Sequence, residues 1–152
     1  MATIQDVVMQ VQDAMGALPG IKAAPDYVPE DEKPFPFIIA YESAGTWTIN
    51  AVGQTSTTYG EKKWVGDIRI ELHVARKDMP RDVQQVAFYS DKVPNAILRE
   101  LILDRLGSTV DGYARIDTSG LVFMQYLAPN GIGDHIGIIY TVKEIKIRTN
   151  IT

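Results

Sequence analysis

The residues from Gly66 to Arg76, GDIRIELHVAR, alternate without a break. Ile68, Ile70, Leu72 and Val74 take one side; Asp67, Arg69, Glu71 and His73 take the other. Strict period-two alternation predicts a strand with one buried face, here extended back to Trp64. Nearer the start of the chain the period is different. Ile4, Val7, Val8, Val11, Met15 and Leu18 recur at helical spacing, with Gln5, Asp6, Gln10, Gln12 and Asp13 between them. This predicts an amphipathic helix, capped at Thr3 and ended by Gly16 and Pro19-Gly20.

The intervening segment AAPDYVPEDEKPFP carries Pro25, Pro29, Pro34 and Pro36 among a burst of acids, and reads as an extended surface connection. Phe35 to Glu42 predicts a strand, apolar on both sides and therefore placed centrally in a sheet. Thr46 to Val52 predicts a weaker strand, and QTSTTYGEKK (Gln54 to Lys63) a loop or hairpin tip. Asp78 is placed to cap a helix carrying Val83, Val86, Ala87 and Ser90 on one side. Pro94 lacks the donor that a helix interior needs, so a kink or break is expected at Lys92-Val93. A second helix then carries the stripe Ile97, Leu98, Leu101 and Ile102, with Gly107 as its C-cap. Leu121 to Leu127 predicts a strand, Pro129-Asn130-Gly131 a turn, and Ile136 to Ile147 the last long strand. In that strand Ile136, Ile138, Tyr140 and Val142 are even-numbered, whereas Ile145 and Ile147 are odd. A β-bulge near Lys143 accounts for the change of phase. No βαβ alternation occurs, so the expected class is α+β: a mainly antiparallel sheet packed with an N-terminal helix and a Pro-kinked helix or helix pair.

Composition narrows the function classes. A chain of 152 residues, 45% hydrophobic and 22% charged, fits a single globular domain with a substantial core. The absence of cysteine excludes a disulfide framework, a thiol nucleophile and zinc sites of the cysteine type. A net charge of −4 argues against a surface built to grip nucleic acid. No apolar run approaches the roughly 18 residues needed to span a bilayer, and the N-terminus has no basic start with an apolar block behind it, so no membrane association is expected.

The candidate chemistry is sparse. Arg69 and Glu71 share one strand face, but catalysis needs a positioned nucleophile or water as well. A solvated face or a surface for another protein is the favoured account of the row. His73 and His135 are the only histidines, with no HxH or HxxxH spacing to make them a metal pair. GIGDHIG (Gly131 to Gly137) leads into a strand rather than a helix, so it is a hairpin turn, not a phosphate loop. Trp47 and Trp64 flank the polar tip. Closure of a small hairpin core is favoured over an exposed anchor for a partner. No catalytic constellation, metal or cofactor is expected, a profile suited to an interaction or structural protein.

The order of elements resembles a family. The amphipathic N-terminal helix, the Pro-rich approach, the run PFPFIIAYESAGTW (Pro34 to Trp47), a polar hairpin and IRIELHVARKDMPRDVQQV (Ile68 to Val86) look like the tail terminator proteins of long-tailed bacteriophages, the lambda-type minor tail protein U class. Glu71, Leu72, Val74, Arg76, Asp78 and Asp82 match its E-L-x-V-x-R strand and the acidic start of the following helix. The long turn after Trp47 and Pro94 do not map onto the pattern. The resemblance implies a non-enzymatic virion subunit that closes into a hexameric ring. Such a ring caps the tail tube, ends its polymerisation and meets the head connector. Asp67, Arg69, Glu71 and His73 are then expected at the subunit interface, where charge fixes register. Asn50 to Lys63 is expected to be a mobile arm, with Tyr59 its anchor and Lys62 and Lys63 meeting an acidic partner. Other readings stay open. They are another neck or head–tail completion protein, a small ligand-binding regulatory domain, and a weak hydrolase using Glu71 or Asp134 as base.

Overall fold

The computed structural model describes residues 4–24, 34–50, 59–76, 83–102, 110–112, 115–128 and 131–151. The elements are α1 (Ile4–Gly16), β1 (Phe37–Asn50), β2 (Gly60–Arg76), α2 (Val83–Ile102), β3 (Val110–Gly112), β4 (Arg115–Ala128) and β5 (Gly131–Ile151). The strands form one sheet in the order β1-β2-β5-β3, with β4 also paired to β5. Every strand pairing is antiparallel. The class is therefore α+β, as the hydrophobic pattern predicts. Thr3, Asp78, Gly107 and the Pro129-Asn130 part of the turn lie outside the described residues.

The two helices cover one face of the sheet. Val7, Val11 and Met15 of α1 and Tyr89, Val93 and Ile97 of α2 meet Ile38, Trp64, Ile68, Ile70, Leu72, Ile138, Tyr140, Val142, Ile145 and Ile147 in one core. The hydroxyl of Tyr140 donates to the Tyr89 carbonyl at 2.8 Å, fastening α2 to β5. Gln12, on the polar side of the predicted helix, is instead buried, and its amide donates to the Ile38 carbonyl at 2.6 Å. The helix α2 runs through Pro94 as one element, the single helix rather than the pair of the two expected alternatives. Tyr89, Val93 and Ile97 lie four residues apart on both sides of the proline, so one continuous buried stripe holds the segment together. Leu98, expected in that stripe, is exposed.

Two features of the sheet differ from the sequence reading, and a third agrees with it. The first is the place of β1, which is an edge strand rather than a central one. It is apolar on both sides because Phe37 and Ile39 form a second cluster with Ala23, Phe35 and Tyr41 on the face away from the helices. The chain just before the proline-rich segment also lines its outer edge. The Ile38 amide donates to the Ala23 carbonyl at 3.0 Å, and the Lys22 amide to the Pro36 carbonyl at 2.9 Å.

The second is length. The separate strands expected at Phe35–Glu42 and Thr46–Val52 are one strand, with Ser43 bulged out between Glu42 and Ala44. Its partner β2 begins at Gly60, and Asn50, Ile49 and Thr48 pair with Glu61, Lys62 and Lys63. Those polar residues stay extended because β5 pairs with them on the other side, through Asn150, Thr149 and Arg148. They belong to the ladder and not to a loose arm; residues 51–58 lie outside the described residues.

The third is the bulge in β5, which lies where the change of phase predicts it. Gly66 pairs with Ile145 and Ile68 with Val142, so Asp67 faces both Lys143 and Glu144. Glu144 takes a positive φ of 56° there. The bulge lets Val142 and Ile145 both point into the core.

Candidate functional site

The charged row of β2 sits on the sheet face opposite the helices, and each member has a separate task. Asp67 fills the bulge. One carboxylate oxygen accepts from Lys143 at 2.9 Å and the other from the Glu144 amide at 3.1 Å. Burial pushes this carboxyl up, but the Lys143 ammonium and the Glu144 amide outweigh it and hold it below the ordinary aspartate range. Ser43, itself at a bulge, donates to the Asp67 carbonyl at 3.3 Å.

Further along, the row turns inward. Side-chain exposure falls from 37% at Arg69 to 13% at Glu71 and 1% at His73. The register explains the fall. Arg69, Glu71 and His73 pair with Tyr41, Ile39 and Phe37 of β1, and those side chains close over the row. Glu71 is the hub. It accepts from the Tyr41 hydroxyl, from Arg69 Nε at 2.9 Å, and from His73 Nε2 at 3.2 Å. Burial pushes its carboxyl up, yet hydrogen bonds from His73 and Tyr41 and the charges of His73 and Arg69 bring it down to about 2. Burial and the bond to Glu71 push the Tyr41 hydroxyl up to about 12.

His73 continues the chain into the interior. Its Nδ1 lies 2.9 Å from Nδ1 of His135, and both rings are buried. Phe37 stacks on His73 with ring centres 4.6 Å apart and planes inclined by 4°. Phe35 meets His135 edge-on at 4.9 Å. Where β5 passes His73 it carries Gly137, and a Cβ there would strike the Leu72 carbonyl and the end of Met124. The close passage of β2 and β5 beside the pair therefore requires glycine.

Each oxygen of Glu71 is engaged, and a carboxyl held at about 2 is a weak base at neutral pH. The two histidines, which no HxH or HxxxH spacing links in sequence, face each other directly, and among the described residues no three His, Asp or Glu groups are placed to hold a metal. Asp134, the other candidate base, has no described side chain. His73 and Glu71, expected at a subunit interface, point into the subunit itself; Arg69 and Asp67 keep a solvent-facing part. Sequence reasoning missed Tyr41, Phe35 and Phe37, and considered His135 only as a metal ligand beside His73. The usable signal was a third aromatic–apolar alternation, Phe35, Phe37, Ile39, Tyr41, in step with the charged row.

The exposed apolar surface lies elsewhere. Trp47, Ile49, Tyr59 and Val65 are exposed at the far end of the β1–β2 hairpin, with Phe88 and Leu98 on α2. Trp47 and Trp64 stand opposite each other in the ladder, as a hairpin pair should. Only Trp64 is buried, in the main core, with Gly45 and Gly66 leaving room for its indole. Trp47 is 42% exposed, with the Lys62 ammonium 4.9 Å above its ring. Lys63 pairs with Glu61 at 3.5 Å on the surface. An open cleft of about 670 Å³ lies between α1 and α2, lined in part by Gln10, Asp13, Leu18 and Arg99. Among the described residues no helix is long and apolar enough to cross a membrane. The sequence matches no protein-family model and has no significant similarity to a curated protein.

Proposed function

We propose that this chain is a structural subunit of a long-tailed phage particle, a tail terminator that closes into a hexameric ring on the end of the tail tube and offers its other side to the head connector. The observation that carries the reading is the hairpin. Towards its far end Trp47 and Ile49 are exposed side by side on one face, with the Lys62 ammonium over the Trp47 ring, and Val65 is exposed on the other face. A monomer gains nothing from exposing Trp47 and Ile49 next to each other, whereas an assembly buries them. A rim that also carries Lys62 and Lys63 suits an acidic neighbour. The E-L-x-V-x-R stretch lies at the end of β2 and leads towards α2, the position that the resemblance to tail terminators assigns it. The polar network around Glu71 serves the subunit's own interior, which agrees with a non-enzymatic role.

Sedimentation and negative-stain imaging test the reading, with the protein alone and mixed with tail tubes. A ring at one tube end is expected. Trp47→Ser and Ile49→Ser should abolish it while leaving the melting temperature within a few degrees, because both side chains are already exposed. A protein that stays monomeric with and without tubes, or variants that assemble normally, would overturn the proposal.

A further inference from the structure

The buried histidine pair contains a proton count that the fold enforces. Two Nδ1 atoms 2.9 Å apart share one hydrogen, given by one ring and accepted by the other. If both rings carried a proton at Nδ1, two N–H groups would point at each other. With the contact intact, the pair therefore holds at most three protons on its four ring nitrogens; once separated, it holds four. The aromatic cover lies against this contact. Phe37 is stacked on His73 and Phe35 stands against His135, at the point where β1 begins and where Ala23 lines its edge.

We propose that His73 and His135 form a proton-operated clasp, which keeps the aromatic start of β1 closed while the pair shares one Nδ1 hydrogen and releases it when both rings become imidazolium. Charged or titratable groups on this network include Glu71 and Arg69 of β2 and Tyr41 of β1; in the ladder His135 pairs with Arg76 of β2 on one side and with Met124 of β4, which is apolar, on the other. None of these neighbours of the pair changes charge near neutrality. Glu71 is held at about 2, Tyr41 is pushed up to about 12, and arginine remains a cation throughout.

The effect has a definite size. The doubly cationic opened pair binds at least one more proton than the closed pair, so the opening constant rises at least about tenfold for each unit below the free-histidine range, about pH 6.5. Amide exchange of Ile38 and Gly137, corrected for the intrinsic rate, should accelerate by that factor as the pH is lowered, while Val11 in α1 stays protected. Imidazole nitrogen shifts at neutral pH should show one protonated and one bare Nδ1. His135→Asn places an amide nitrogen near the Nδ1 position and keeps a donor to His73 without a second titrating ring, so it should flatten the pH dependence. Exchange that is indifferent to pH, two rings that both become cationic with the cover closed, or an undiminished slope in a folded His135→Asn protein would overturn the proposal. If that variant does not fold, the exchange and nitrogen shifts of the unaltered protein decide alone.

Discussion

Glu71 brings together, in one side chain, the polar groups that β1 and β2 place on the second sheet face. Its ionised form is favoured in the folded state, because its carboxyl is held at about 2 there and returns to about 4.3 when the chain unfolds. A depressed carboxyl stabilises the fold above the unfolded value and loses that contribution as the pH falls through the folded one. Stability should thus decline between about pH 4.5 and 2, by on the order of 2–3 kcal/mol from this residue. Glu71→Gln should cost a similar amount at neutral pH, and the deficit should shrink towards zero in acid. Urea unfolding of both proteins across this range measures it. Asp67 acts by the same sign on a smaller scale. Asp67→Ala leaves the bulge amide of Glu144 and the Lys143 ammonium without their acceptor, and should cost about 1–2 kcal/mol.

Among the elements, the tightest constraints lie where strands pass under large side chains. The Trp64 indole lies against Gly45 and Gly66, and a Cβ at either would run into it. Gly45→Ala and Gly66→Ala should each cost about 1–3 kcal/mol by overpacking, and tryptophan emission should shift to the red as Trp64 is displaced. The bulge in β5 makes the opposite kind of prediction. Glu144 sits at a φ of 56°, a conformation that glycine adopts without strain. Replacing it with glycine should raise stability by roughly 0.5–1 kcal/mol, because relief of left-handed strain exceeds the entropy lost to a freer unfolded chain. Thermal unfolding of Glu144→Gly checks the sign. A decrease would mean that the exposed Glu144 side chain contributes more than its backbone conformation costs.

On the scale of the whole molecule, the subunit has one face sealed by helices, a second face sealed at one end by aromatic side chains, and an apolar hairpin end left in solvent. A tail ring would have to let DNA pass without holding it. With a net charge of −4 per chain, the protein has no excess of cations to neutralise phosphates. Duplex binding at physiological salt should be weaker than about 10⁻⁶ M, the tight end of non-specific affinity. Salt-sensitive binding tighter than that in a polarisation titration would count against the proposed role.

What the sequence determined by itself was whatever depends on local periodicity. The helical stripe of Val7, Val11 and Met15, the alternation of Ile68, Ile70 and Leu72, and the phase slip between Val142 and Ile145 each follow from one element having one face to bury. These decided the class, the N-terminal helix, the middle of β2 and the bulge. The tertiary structure decided what depends on pairing between distant segments. The edge position of β1 follows from β2 choosing β5 as its other neighbour. The continuity of α2 through Pro94 follows from a shared core stripe. The inward turn of Glu71 and His73 follows from Phe37, Ile39 and Tyr41 lying beside them in register. A charged row reads the same along a single strand whether it faces water or an aromatic cover. His73 meets His135 because antiparallel pairing brings residues 62 positions apart into contact, and no pattern local to either residue encodes that distance.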